Sequence, residues 1–120
     1  MSLTPMQIEK RLMDLSREID ESNEELMTAE QTYHVSKASY EIALAKSRME
    51  WAFKSAPNGK NYTVGEKESL VLLDNAEQHM QLAIVEAQVK SARANTNKIR
   101  TQVDIARTLS VSVRSSMDIG

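Results

Sequence analysis

Ala56-Pro57-Asn58-Gly59-Lys60-Asn61-Tyr62-Thr63-Val64-Gly65-Glu66 is the stretch that decides how the rest of the chain is arranged. Pro57 has no amide proton to continue a helix and Asn58-Gly59 readily takes positive φ, so a turn is predicted over about residues 56–63. Thr63-Val64-Gly65-Glu66 then has the form of a capping box: the Thr63 hydroxyl accepts from the Glu66 amide and the Glu66 carboxylate reaches back to the Thr63 amide. A helix is expected from there to about residue 117.

On the other side of the turn, Thr4 suits an N-cap, Pro5 the first helical position and Gln7 the returning side chain, which predicts a helix over about residues 5–55. Within it Ile8, Leu12, Leu15, Ile19, Ser22, Leu26, Ala29, Tyr33, Ser36, Tyr40 and Ala43 alternate spacings of four and three, a heptad seam. Leu12, Ile19, Leu26, Tyr33 and Tyr40 are large, whereas Ser22, Ala29, Ser36 and Ala43 are small, so close helix approach is implied. The second helix carries two overlapping stripes. One is Leu73, Ala76, Met80, Ala83 and Ala87; the other is Leu82, Val85, Val89, Ala92, Thr96, Ile99, Val103, Ala106, Ser110, Val113 and Met117. The buried face is therefore expected to change near the helix middle.

Each helix would hold about 50 residues and measure ~75 Å at 1.5 Å per residue. Equal lengths around a short turn predict an all-α fold, a long antiparallel two-helix hairpin forming one domain over residues 1–120. Charge agrees with that topology. Asp14, Glu18, Asp20, Glu21, Glu24, Glu25 and Glu30 stand against only Arg17. Antiparallel folding pairs positions whose numbers sum to roughly 119, which sets this belt beside Lys90, Arg93, Lys98 and Arg100. Exposed pairs contribute about 0.2–1 kcal/mol each, so they select register more than they stabilise.

Two helices share one interface and hide one stripe apiece. Val35, Ala38, Ile42, Ala45, Met49 and Ala52 lie opposite the main seam; Leu44, Trp51 and Phe53 lie elsewhere around the first helix, and Leu70 to Leu73 are apolar all round. Monomers seldom expose contiguous apolar surface above a few hundred Å². Self-association is expected, most simply a twofold dimer forming a four-helix bundle. Val35, Ile42, Met49, Trp51, Phe53, Leu70 and Leu72 are the candidate interface residues.

Composition narrows the function classes. Aromatics are 4%, cysteine is absent and the net charge is −2, so thiolate chemistry and a globally basic nucleic-acid binder are excluded. His34 and His79 have no metal-ligating spacing, and His34 has Glu30 one turn earlier, the ordinary arrangement of a surface pair. The carboxylates sit in a solvated belt, an environment that does not point to acid–base work. No phosphate-binding glycine motif occurs among the three glycines. A non-enzymatic protein without metal or cofactor is expected. Met1-Ser2-Leu3-Thr4-Pro5 lacks a secretory leader's basic and apolar segments, and no apolar run reaches membrane-spanning length, so the cytoplasm is expected and no membrane partner.

The basic residues offer an alternative. Lys37, Lys46, Arg48, Lys54, Lys60 and Lys67 outnumber Glu41, Glu50 and Glu66 around the turn. Lys46, Arg48, Lys54 and Lys60 could contact phosphates of a single strand, with Tyr62 stacking on a base. A solvated helix surface explains the same residues. Met6, Met13, Met27, Met49, Met80 and Met117 are gap fillers in helical packing or an adaptable face for a partner.

Arg11-Leu12 with Leu15, Ala29-Glu30 with Tyr33, Lys37-Ala38-Ser39-Tyr40-Glu41, Ala43 and Ala45 with Arg48, Thr63-Val64-Gly65-Glu66, and Gln102 to Arg107 through Ser112-Val113-Arg114 carry a resemblance that spans nearly the whole chain. In these residues the chain resembles small all-helical early-region proteins of actinobacterial tailed phages. The resemblance implies a non-virion accessory factor, without catalytic role, acting on a protein of DNA replication or recombination. An assembly chaperone or scaffold is a further alternative, since long helical hairpins suit that role too.

Overall fold

The computed structural model describes residues 4–119. Met1, Ser2 and Leu3, on which the leader expectation partly rests, lie outside the described residues, as does Gly120. The fold is all-helical: α1 is Pro5–Ala52, α2 is Val64–Asp74 and α3 is Ala76–Ile119, with no β-strand among the described residues. No described helix is long and apolar enough to cross a membrane.

Both N-terminal caps form as their sequences dictate. Thr4 N donates to Gln7 Oε1 at 2.9 Å and Gln7 N to Thr4 Oγ1 at 3.2 Å. Thr63 and Glu66 make the equivalent reciprocal pair at 3.3 and 3.1 Å. α1 stops at Ala52, short of the expected end near Ser55, because the chain is drawn into a tight loop. Lys54 N bonds back to Trp51 O, Ser55 bridges Asn61, Ala56 N donates to Lys60 O and Gly59 N to Ala56 O. Gly59 has φ 79°, where an L side chain is strained although a Cβ would meet nothing within 4 Å; its role is conformational, not steric.

The second helix departs from the expectation of one uninterrupted segment. Asn75 breaks it, with φ −115° and ψ 19°. Its amide N–H donates to Leu72 O at 3.2 Å, its side-chain Nδ2 to Val71 O at 2.8 Å, and its carbonyl accepts from His79 N. A buried asparagine serves its own helix end here, satisfying carbonyls that would otherwise be orphaned.

The contacts divide the chain into two compact units, Met1–Ala29 with Val89–Gly120, and Glu30–Gln88. In the first, Leu15, Ile99 and Ala106 are buried together, with Leu12, Ile19 and Val103 packed against them. Ile8 lies beside Ser110 and Val113, and Ser22 bonds Thr96, so within this unit rising numbers in α1 meet falling numbers in α3. Each buried Leu, Ile or Val contributes about 1.5–3 kcal/mol. In the acidic belt Arg11 pairs with Glu18 at 3.6 Å and Arg17 with Asp14 at 2.8 Å.

In the second unit Val71 and Val85 are buried, as are Ser47 and Asn75. Tyr40 faces His79 with ring centroids 5.6 Å apart, in line with the roughly 119 pairing rule for antiparallel neighbours. Every seam position expected in α1 from Ile8 to Ala43 is buried or half-buried, and Ser47 extends the series. The buried and half-buried positions after the turn, Val71, Asn75, Leu82, Val85, Val89, Ala92, Thr96 and Ile99 onward to Val113, keep heptad spacing except between Asn75 and Leu82, where Gln78 and His79 are exposed. The expected change of buried face does not occur. Leu73, Ala76, Met80, Ala83 and Ala87 are all exposed. Asn75 looked like a solvent position and so hid that spacing; its amide is inside because it caps.

Candidate functional site

Open clefts run along the helices among the described residues. One of about 310 Å³ in the first unit is lined by Glu18, Glu21, Ser22, Glu25, Asn95, Lys98, Ile99 and Gln102. It lacks the apolar walls with convergent polar groups that hold small molecules. Among the described residues no group of three or more His, Cys, Asp and Glu side chains could hold a metal ion. His34 sits edge-on to Tyr33 at 5.5 Å, and His79 against Tyr40, so each imidazole packs beside a phenol.

The side chains that stand out are apolar and exposed. On α1, Val35 is 67% exposed, Ile42 57% and Met49 69%, with Ala38, Ala45 and Ala52 exposed between them. On a helix of 3.6 residues per turn these six fall on one strip opposite the Tyr33–Tyr40–Ser47 seam. Phe53, just past the helix, is 88% exposed and Leu72 is 51% exposed. Leu73, Met80 and Ile84 add an apolar face to α2 and α3 in the same unit.

Trp51 and Leu70 are placed differently from the other interface candidates: both are half-buried. Trp51 Nε1 donates to Asp74 Oδ2, which also accepts from the buried Ser47 hydroxyl at 3.5 Å. Tyr62 meets the indole edge-on at 5.6 Å and Lys54 Nζ lies 4.5 Å from the ring centroid. The tryptophan thus ties α1, the turn and the end of α2 together.

That cluster also engages much of the basic tip. Arg48 Nε pairs with Glu68 at 3.1 Å, Lys54 covers Trp51, Tyr62 is half-buried against Trp51 and Lys67 Nζ reaches Ala52 O at 3.4 Å. Lys46 and Lys60 are exposed. The tip therefore gathers Lys54 and Tyr62 around one indole.

Asp74, Asn75 and Ser47 were not singled out from sequence. Counting back by sevens from Val89 through Leu82 reaches position 75 and would have flagged Asn75 as a seam residue. The Asp74–Trp51 bond has no sequence signal, since it depends on how far the turn brings α2 back along α1. No protein-family model matches the chain, and comparison with curated proteins and with solved structures finds no match.

Proposed function

We propose that this chain is a non-enzymatic interaction protein, a helical hairpin that self-associates and binds a protein partner through its apolar outer faces. The observation that carries the proposal is the strip of Val35, Ala38, Ile42, Ala45, Met49 and Ala52, exposed along α1 in the unit that also exposes Leu73 and Met80. Solvated apolar strips at heptad spacing are what a helix keeps for another helix.

A dimer forming a four-helix bundle is the simplest assembly that covers such strips. The resemblance to phage early-region helical proteins points the partner toward DNA replication or recombination, where the chain would recruit or inhibit another protein. A protein partner is favoured over a nucleic acid because Lys54 and Tyr62 already pack against Trp51 within the chain. Sedimentation equilibrium at micromolar concentration tests the proposal: a dimer or larger species is expected, and a clean 13.5 kDa monomer would remove it.

A further inference from the structure

We infer that a second copy of this chain docks on residues 35–52 of α1 with the two α1 helices antiparallel about a twofold axis, large residues of each strip seated on alanines of the other. This rests on the self-association proposed above and specifies its geometry. The strip alternates strictly: Val35, Ala38, Ile42, Ala45, Met49, Ala52, all exposed. Turned end for end against itself, it sets Val35 opposite Ala52, Ile42 opposite Ala45 and Met49 opposite Ala38, and every contact is reciprocated. An isologous interface requires that self-complementarity. A parallel pairing would set each large residue against its own copy and each alanine against alanine, crowding one layer and leaving the next empty, and interiors tolerate neither.

Charge fits the same arrangement. Glu41 and Arg48 share one flank of the strip, one heptad apart, and like flanks face each other in an antiparallel pair. Glu41 of each copy therefore comes level, to within about two residues or 3 Å, with Arg48 of the other. Arg48 is about half exposed and uses Nε on Glu68, so its remaining donors suit a second carboxylate. Phe53 falls next to Val35 of the other copy on the opposite flank, which would cover the most exposed large side chain recorded. The strip of α3 ends on Ala83 and Ala87 and lacks this alternation along its whole length.

The absence of cysteine makes a clean test. Proteins carrying Ala38→Cys and Met49→Cys are mixed and mildly oxidised. The mixed disulfide dimer is expected at about tenfold or more over either self-linked dimer, because opposed positions reach the 4.4–6.8 Å Cα separation that a disulfide needs. Two copies of Ala38→Cys would lie about 16 Å apart along the axis. Self-linking of Ala38→Cys would overturn the inference in favour of a parallel pair, and linking of Ala38→Cys to Met80→Cys in favour of α1 against α3. Failure of all pairs to link in a sample that sediments as a dimer would place the interface on another face. A monomer in the same sedimentation run would overturn self-association itself.

Discussion

The hydroxyls of Ser22 and Thr96 lie 2.6 Å apart, buried and 74 positions distant in the chain. Thr96 spends its single proton on Ala92 O at 3.1 Å, so Ser22 is the donor between them, and Asn95 Nδ2 in turn approaches Ser22 Oγ at 3.4 Å. The result is a short relay inside the buried seam, with every member satisfied. Such a layer favours one register, since sliding α1 by a turn would set a hydroxyl against an apolar side chain.

That relay predicts a non-additive pair. Thr96→Val strands the Ser22 hydroxyl and should cost about 1–3 kcal/mol, whereas Ser22→Ala together with Thr96→Val should cost clearly less than the two single changes summed. Urea denaturation of the four proteins checks it; strict additivity would show that the hydroxyls are not coupled.

Core and surface should separate sharply on α1. Leu15 is 1% exposed, so Leu15→Ala should cost about 2.7–5 kcal/mol. Met13, two residues earlier, is 74% exposed, and Met13→Ala should fall within about 0.5 kcal/mol of the parent. Thermal melts followed by helical ellipticity decide this, and equal losses would mean that the buried face has been misplaced.

Asn75 should tolerate loss better than inversion. Asn75→Ala removes one hydrogen bond to Val71 O, at about 0.5–1.5 kcal/mol, while Asn75→Asp places a buried carboxylate against that carbonyl and should cost more than about 2 kcal/mol. Denaturation midpoints of the two variants at neutral pH give the order directly, and the reverse order would show that the side chain does not donate to Val71.

Trp51 is the sole tryptophan, so its emission reports on the turn cluster alone. Asp74→Ala frees the indole N–H to solvent and should shift the emission to the red, with roughly 1–2 kcal/mol lost from unfolding. Unchanged emission would indicate that Asp74 does not hold the indole in solution.

Nucleic acid is expected to bind weakly. Because Lys54 lies over the Trp51 ring and the net charge is −2, a single strand of ~30 nucleotides at about 150 mM salt should bind no better than the ~10⁻⁴–10⁻⁶ M of non-specific contact. Fluorescence anisotropy measures this. Submicromolar affinity lost on replacing Lys46, Arg48, Lys54 and Lys60 with Gln would transfer the assignment to nucleic-acid binding.

The heptad positions of α1 were legible in the sequence because Ile8, Leu15 and Leu26 set a period that Ser22, Ala29 and Ser36 keep even though none is strongly apolar. The caps at Thr4 and Thr63 were equally legible, being local chemistry within four residues. What sequence could not deliver were features where tertiary context overrides residue character. Asn75 is polar yet buried, Leu73 and Met80 are apolar yet exposed, and the choice between the two stripes of the second helix turns on which one continues the seam through Asn75. The exposed strip of α1 was visible as a pattern. The engagement of Trp51 by Asp74 was not, because side chains brought together by a turn leave no periodic trace.

The tight loop at Gly59 also bears on the order in which the chain finds its fold. Bringing Trp51 to Tyr62 closes a loop roughly sevenfold shorter than the one that brings Ser22 to Thr96, a difference of about 1.7 kcal/mol in closure entropy. Nucleation is therefore cheapest at the indole cluster, and pairing then spreads from it by small steps, each new turn of helix meeting a neighbour already held nearby. Substitutions beside the loop should slow folding, while those at the far ends of α1 and α3 should mainly hasten unfolding.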